Sequence, residues 1–246
     1  MTDIGQLLPN VGIERKYRQQ LKKMLDGMNK SVLYWVLADY EHKTTKEMAR
    51  QIQKRIKQWK KVFGARSDML AEWFVREVKK NTIAGFTMNL NKLGVRKHIE
   101  VPEEDVEAVL IENETLIESI PEKYFDGIMW AAMAAMTYGW SKTDLREAIT
   151  KRYNISKRRI KNIAADQNHK ANEAFKTAVC EKLGITKGRW KYTFRSKEPR
   201  WHHIKADGRL FNLKRGCLIE GEYVHPGEPY NCKCTFTPVI DGFGDL

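Results

Sequence analysis

The chain has 246 residues, of which 42% are hydrophobic and 30% are charged. This composition excludes an intrinsically disordered protein, which combines low hydrophobicity with high charge. The 44 lysine and arginine residues outnumber the 31 aspartate and glutamate residues, and the formal charge of +13 favours a polyanionic neighbour such as nucleic acid. The charge is equally compatible with a basic protein whose lysines are simply solvated and bind no nucleic acid.

Neither a membrane span nor a secretory signal is expected. The most apolar run, residues 128–138, is about half the length that a spanning helix needs. The first residues lack both a basic segment and an apolar one, so we expect folding in the cytosol. Cys217, Cys232 and Cys234 cluster near the C-terminal end, which favours reduced thiols or a metal site over a disulfide-stapled domain.

Helical periodicity dominates the chain up to about residue 184. In the segment 45–62, Met48, Ile52, Ile56 and Trp59 form an apolar stripe on a strongly basic helix, so one face packs and the other is charged. A further helix is predicted over residues 67–89. Another should begin after Pro102, where carboxylates follow the proline, and another at Pro121. A capping box of Ser141 and Asp144 predicts a short helix over 145–153, and the last helix should run from Ser156 to Gly184.

After Gly188 the spacing of the apolar residues changes from the helical period of 3.6 residues to the strand period of two. Trp190, Tyr192 and Phe194 alternate with polar residues as far as Arg195, which predicts a half-buried strand. We predict a hairpin of 201–205 and 210–213 around the turn 206–209, a rigid turn over 226–229 and a final strand over 235–240.

These elements predict an α+β fold, with a mostly helical N-terminal and central lobe and a small C-terminal antiparallel β region. The predicted divisions are an N-terminal helical region over 1–100, a central helical lobe over 101–188 and a C-terminal β-hairpin region over 189–246.

The C-terminal region gathers an unusual series of residues in a fixed order: Arg200, His203, Asp207, Gly208, Pro226, Asn231, Cys232 and Cys234. It resembles the Mu F-like head-morphogenesis family of phage minor capsid proteins, whose pattern is Arg-x-x-His, Asp-Gly four residues later, a turn with Gly and Pro, and a closing Asn-Cys-Arg-Cys. Lys233 stands where the family usually has arginine, which keeps the charge but loses the bidentate fork. The matching positions are Arg200, His203, Asp207, Gly208, Pro226, Asn231, Cys232 and Cys234.

The resemblance implies a phage virion component of low copy number, assembled in the host cytoplasm into the prohead near the portal vertex. It further implies a location inside the capsid beside the packaged DNA, and no established catalysis. The partners to expect are the portal protein, a scaffold or major capsid protein, and DNA through non-specific basic contacts, with no membrane.

The cysteines and one histidine raise the question of a metal. His203, Cys217, Cys232 and Cys234 supply the ligand types of a closed tetrahedral zinc site. Cys-x-Cys is shorter than the usual zinc-binding spacing, and Cys217 has no place in the family pattern. Two alternatives stay open: a hydrogen-bond network of His203, Asp207 and Asn231 beside buried thiols, and a disulfide that joins Cys217 to Cys232 or Cys234.

The other histidines are interpreted differently. His202 is expected on the opposite face of a strand from His203, and we interpret His169 and His225 as ordinary surface or turn residues. An alternative function, a metal-dependent nuclease or effector delivered with the phage genome, would use His203 and Asp207 on phosphodiesters. The sequence shows no converging carboxylates near His203 to support it.

Overall fold

The computed structural model describes residues 1–194 and 199–240. Four long helices precede a small antiparallel β region, which confirms the predicted α+β class. No helix in these two ranges is long and apolar enough to span a membrane. The elements are β1 (Thr2–Asp3), α1 (Val11–Asp39), α2 (Thr45–Lys92), α3 (Glu103–Tyr138), α4 (Lys142–Lys182), β2 (Lys187–Lys191), α5 (Trp201–Lys205), β3 (Leu210–Asn212), β4 (Cys217–Ile219), β5 (Glu222–Val224) and β6 (Thr235–Ile240).

Helix α2 is continuous where the sequence predicted two helices, so the predicted break between residues 62 and 67 is wrong. Ser67 Oγ donates a hydrogen bond to the Gly64 carbonyl oxygen at 2.8 Å, and its hydroxyl therefore bonds within the helix instead of capping a new one. Gly64 costs only about 1 kcal/mol of helix propensity relative to alanine. Burial of Phe63 and Phe74 on either side offsets that cost.

Pro121 and Ser156 lie inside helices and do not begin them, which corrects two predicted helix starts. Pro121 is within α3, and Ser156 is buried within α4. The acidic first turn that follows Pro102 is the true start of α3, as predicted, because carboxylates favour a helix N-terminus. The missing N–H of Pro121 is tolerated because Ile117, Tyr124 and neighbouring side chains of the same helix are buried.

The predicted capping box at the start of α4 is confirmed. The Asp144 carboxylate accepts hydrogen bonds from the Ser141 backbone N–H at 3.0 Å and from its hydroxyl at 2.7 Å. In return, the Asp144 N–H donates to Ser141 Oγ at 3.1 Å. The helix ends two residues before Gly184, whose φ of +73° is the left-handed conformation expected after a helix C-terminus.

The main sheet has four antiparallel strands in the order β1-β6-β2-β3. The final strand is confirmed as β6, which is buried along its whole length. Gly188 in β2 pairs with both Phe211 and Pro238. A Cβ at Gly188 would lie 2.7 Å from Leu213 and 3.1 Å from Phe211 and Phe236, so this position has no room for a side chain.

The predicted hairpin of 201–205 and 210–213 is wrong. Residues 201–205 form the short helix α5, and β3 pairs with β2. Strand β2 ends at Lys191, earlier than the predicted alternation, and Phe194 is 77% exposed with a φ of +53°. Arg195, the last residue of that alternation, lies outside the described residues. A separate two-stranded hairpin is formed by β4 and β5.

The chain divides into two compact units. Unit 1 comprises residues 1–14, 73–110 and 165–246, and unit 2 comprises residues 15–72 and 111–164. Unit 1 contains both β-sheets and the entire C-terminal motif, whereas unit 2 is built from helical segments. The predicted boundaries at residues 100 and 188 remain predictions.

Replacing Pro121 with alanine is expected to stabilise the protein. The change restores a backbone donor inside α3 and removes the clash of the proline ring with the preceding turn, so we expect the free energy of unfolding to rise by about 1–3 kcal/mol. Pro102→Ala is the control, because a proline just before a helix costs little. Chemical denaturation measures both, and a loss of stability in Pro121→Ala would show that packing requires the proline.

Candidate functional site

A buried cluster of one histidine and two thiols forms the centre of the C-terminal motif. His203 Nδ1 lies 3.5 Å from Cys232 Sγ and 3.4 Å from Cys234 Sγ, and the three atoms all lie within 4.8 Å of one another. His203, Cys232 and Cys234 are 7%, 4% and 2% exposed. We call these three residues the His–Cys cluster.

Arg200 and Trp190 position the histidine of the cluster. Arg200 lies at the start of α5, and its carbonyl oxygen accepts the His203 N–H at 3.0 Å. Its guanidinium donates to the Tyr230 carbonyl oxygen at 2.8 Å, which ties α5 to the segment that carries both cysteines. The ring of Trp190 packs edge-to-face on the imidazole, with centroids 5.4 Å apart.

The Asp-Gly pair of the motif fixes the end of α5 against β2. Asp207 Oδ1 accepts the backbone N–H of Tyr192 at 3.0 Å. Gly208 has a φ of +80° and donates its N–H to the Trp190 carbonyl oxygen at 2.9 Å. Asp207 therefore binds the backbone of Tyr192 and, within the described residues, not His203.

Asn231 turns the chain immediately before the first cysteine. Its φ of +60° is left-handed, a conformation that asparagine tolerates better than most residues. Its N–H donates to Asp166 Oδ1 at 2.9 Å, and the Cys232 N–H donates to the Pro229 carbonyl oxygen at 2.8 Å. The predicted network of His203, Asp207 and Asn231 is thus replaced by separate contacts, each of which fixes a different stretch of backbone.

The surroundings of Cys232 favour a thiolate. A hydrogen bond from the Cys234 thiol lowers the pKa of Cys232, and hydrogen bonds from His203 and from the backbone N–H groups of Cys234 and Gly227 act in the same direction. The shared proton and burial together raise the pKa of Cys234. Cys232 is therefore the more acidic of the two thiols.

The turn that contains Gly227 comes close to α4. Its φ is +84°, and a Cβ there would lie 2.9 Å from Glu173 Cγ and 3.0 Å from His169 Cδ2. Only glycine combines this conformation with this approach, so the predicted turn over residues 226–229 presents a backbone N–H to Cys232.

A polar face on α4 supports the whole segment from residue 231 to residue 236. Its members recur at steps of three and four residues, which is the spacing of one helix face. They contact the segment in order: Asp166 binds residue 231, His169 binds residue 234, and Glu173 and Lys176 bind residues 235 and 236. We call Asp166, His169, Glu173 and Lys176 the α4 polar face.

Lys176 is fully buried and is the most densely bonded residue of this face. Its ammonium lies 2.8 Å from Glu173 Oε2, 2.6 Å from Thr235 Oγ1 and 2.9 Å from the Phe236 carbonyl oxygen. It also lies 4.3 Å from the centroid of the Phe236 ring. Burial lowers the pKa of Lys176, and the negative charge of Glu173 opposes that shift.

His169 was interpreted from sequence as an ordinary surface or turn residue, and this is wrong. It is 6% exposed, and its Nε2 lies 2.6 Å from the Cys234 carbonyl oxygen. His225 does occupy a turn, where its Nε2 lies 2.8 Å from the Leu213 carbonyl oxygen. His202 is largely exposed and pairs with Glu220 at 2.8 Å, apart from the His–Cys cluster.

Cys217 is separate from the cysteines with which it was grouped. It begins β4, pairs with Val224 and is buried, but it is not among the cluster's ligand atoms. All four cysteines are free thiols. The structure therefore brings together three of the four predicted metal ligands. Burial raises the pKa of the Cys217 thiol, which keeps it protonated.

The α4 polar face was missed in the sequence, although a signal for it was present. Asp166, His169, Glu173 and Lys176 lie on one face of α4, opposite the face of Ala164, Ala171 and Phe175, and their recurrence at steps of three and four residues indicates a shared polar contact. The partner strand was not identifiable, because its contacts are made largely by backbone atoms.

Comparison with known proteins agrees with this motif. Residues 126–237 match the family model described as phage Mu protein F like protein, and this stretch contains the whole C-terminal motif. It is also 33% identical over 138 residues to an uncharacterized protein of Haemophilus influenzae. That match covers 56% of this chain and 30% of the relative, so the chain spans less than a third of that protein. No solved structure matches the chain significantly.

Removing the buried ammonium should destabilise the protein strongly. Lys176→Met leaves Glu173 charged and uncompensated, and we expect a loss of about 3–5 kcal/mol in the free energy of unfolding. The double variant Glu173→Gln/Lys176→Met removes the stranded charge and should be more stable than Lys176→Met alone. Lys182→Met, which removes an exposed partner of Glu100, is the control and should cost under about 1 kcal/mol. Equal stability of Lys176→Met and the control in chemical denaturation would contradict the assignment.

The left-handed backbone conformation of Asn231 leads us to expect that substitutions there change the stability of the protein. Asn231→Ala should lower the free energy of unfolding by about 1–2 kcal/mol, because a Cβ without a compensating amide is strained at positive φ. Asn231→Gly should cost less than Asn231→Ala, because glycine adopts this conformation freely. A thermal melt of both variants checks the order, and the reverse order would mean that the amide side chain matters more than the backbone conformation.

Proposed function

We propose that this protein is a minor component of a tailed-phage head that acts in head morphogenesis. The observation that carries the proposal is the match of residues 126–237 to the Mu F-like family, together with the folded motif inside that stretch. The side chains of Arg200 and Asp207 hold backbone in place, and the backbone of Asn231 is itself held by Asp166. A stabilised structural unit of this kind suits an assembly protein without turnover.

We place the protein inside the capsid beside packaged DNA, near the portal vertex, with the portal and a scaffold or major capsid protein as partners. The distribution of charge supports the contact with DNA. Unit 2 contains 24 of the lysine and arginine residues and 13 of the aspartate and glutamate residues, a formal charge of +11, which leaves only +2 for unit 1. The attraction for a polyanion therefore belongs to the helical unit and not to the cysteine-containing one.

The basic residues at the start of α2 form a continuous ridge. They are spaced by four, four, three and four residues, which places them within a sector of about 80° on the helix surface. The buried residues Met48, Ile52 and Phe63 lie on the opposite side, as the apolar stripe in the sequence predicted. The α2 basic ridge consists of the exposed residues Lys46, Arg50, Lys54, Lys57 and Lys61.

The dimensions of this ridge fit a nucleic-acid backbone. Fifteen residues of helix rise by about 22 Å, a length that runs along several successive phosphates. Lysine and arginine at these positions neutralise phosphate charge without contacting base edges. The ridge therefore supports non-specific binding, which is what a protein packed against a genome of arbitrary sequence requires.

The nuclease alternative has no observation in its favour. It requires His203 and Asp207 to act together on a phosphodiester. In the structure, Asp207 accepts the N–H of Tyr192, and His203 faces two buried sulfur atoms. Within residues 1–194 and 199–240, the His–Cys cluster is the only group of three or more potential metal ligands, and it contains no carboxylate.

Deletion of the gene in its phage tests the role in the head. We expect the protein in purified wild-type particles at low copy number by quantitative mass spectrometry, and a reduced yield of DNA-filled heads by electron microscopy of the deletion. Complementation with the wild-type gene should restore the yield. Absence of the protein from particles, with normal head assembly in the deletion, would contradict the proposed function.

Binding of duplex DNA tests the α2 basic ridge. The logarithm of the association constant should fall linearly with the logarithm of salt concentration, and replacing all five ridge residues with glutamine should reduce the slope by up to about 4. Fluorescence anisotropy with two duplexes of unrelated sequence should give equal affinities. The matched control replaces five exposed basic residues of unit 1 with glutamine, namely Lys92, Arg96, Lys97, Lys205 and Lys214. Equal salt-dependence slopes for the two variants would show that the α2 basic ridge is not the DNA contact.

A further inference from the structure

The His–Cys cluster has the dimensions of three corners of a metal-centred tetrahedron. Zinc binds cysteine sulfur at about 2.3 Å and histidine nitrogen at about 2.1 Å, and tetrahedral angles then separate the two ligand atoms by about 3.6 Å. The observed separations from His203 Nδ1 to the two sulfur atoms are 3.5 and 3.4 Å. A hydrogen bond from one imidazole N–H would favour one of the two sulfur atoms. The two nearly equal distances instead suit one metal ion bound by all three groups.

The surroundings of the cluster provide a second, independent indication. His203, Cys232 and Cys234 are 7%, 4% and 2% exposed, so the three ligand groups lie together away from bulk water. The indole ring of Trp190 packs on His203 with centroids 5.4 Å apart, and no hydrogen-bond partner for its buried Nε1 is found in the described residues. A buried N–H donor beside the cluster suits sulfur ligands that carry negative charge.

The ligands are also fixed before any metal arrives. Arg200 holds α5 to the cysteine segment, and Asn231 sets the direction of the chain into Cys232. His169, at 2.6 Å from the Cys234 carbonyl oxygen, fixes the second cysteine from the side of α4. Ligands held by their own supports lose little entropy on binding, so the site is organised for an ion in advance.

We propose that His203 Nδ1, Cys232 Sγ and Cys234 Sγ bind one zinc ion. Two sulfur ligands and one imidazole select a thiophilic ion of the zinc type over magnesium or calcium, which prefer oxygen. Among the described residues, no fourth histidine, cysteine or carboxylate belongs to the cluster, so the fourth position is left to solvent or to a ligand from a neighbouring protein. The ion cross-links α5 to the segment directly before β6. This inference does not depend on the proposed role in the phage head.

Elemental analysis of the purified full-length chain is the first test. We expect about one zinc per chain in the wild type and less than a tenth of that in Cys232→Ser, Cys234→Ser and His203→Ala. Cys217→Ser is the matched control, since it removes a buried cysteine of the same β region outside the cluster, and it should retain the full zinc content. Loss of zinc in Cys217→Ser would overturn the three-ligand assignment.

Cobalt substitution of the wild type keeps the test decisive if the ligand variants fail to fold. The reduced protein, stripped with chelator, should bind one Co²⁺ and develop the intense visible bands of tetrahedral coordination together with a thiolate-to-cobalt charge-transfer band. Zinc should displace the cobalt and abolish these bands. In addition, chelator should lower the melting temperature of the wild type and of Cys217→Ser alike. A wild type without metal that shows no tetrahedral cobalt spectrum would overturn the proposal, whether its thiols are reduced or joined in a disulfide.

Discussion

The C-terminal half of this protein depends on a buried ammonium group. Lys176 has no exposed surface, and its hydrogen bonds reach the Glu173 carboxylate, the hydroxyl of Thr235 and the carbonyl oxygens of Phe236 and Leu7. A buried charge is tolerated only when its donors are satisfied, so the three segments that supply these acceptors must meet in one arrangement. An apolar side chain would pack in several registers, whereas this one fixes how β6 lies on α4. The position of Cys234, directly before β6, follows from that register.

The residues of the Mu F-like motif fall into two groups: those that fix the backbone, and the three that form the His–Cys cluster. Arg200, Asp207, Gly208 and Asn231 shape turns or tie the short stretches around the His–Cys cluster to each other, to β2 and to α4. Polar residues gathered in a motif are often interpreted as catalytic, but here most of them are explained by the geometry of α5 and of the segment before β6. His203 and the two cysteines remain as the groups whose chemistry is not used for backbone support, which is why the metal proposal rests on them.

Local signals in the sequence predicted a substantial part of this structure. The capping box of Ser141 and Asp144, the left-handed Gly184 and the final strand could be predicted because each depends on neighbouring residues alone. The continuous helices α2 and α4 could not, because tertiary burial outweighed the weak breaks at Gly64 and Ser156. Residues 201–205 were assigned to a hairpin because five residues carry too little periodicity to separate helix from strand. Cys217 was grouped with the other cysteines on composition, and only the sheet topology shows that it belongs to β4.

The pairing of β1 with β6 has a consequence for how the chain folds during synthesis. Thr2 and Asp3 are translated before every other strand of this sheet, yet their strand partners are Ile240 and Val239. The carbonyl oxygen of Leu7 likewise accepts a hydrogen bond from Lys176, which is synthesised 169 residues later. Unit 1 can therefore close only when residue 240 has emerged, whereas unit 2 is complete in the nascent chain after residue 164. Contacts of such long sequence separation are slow to form. Translation thus imposes an order on the two units, with the basic helical unit able to fold first and the cysteine-bearing unit last.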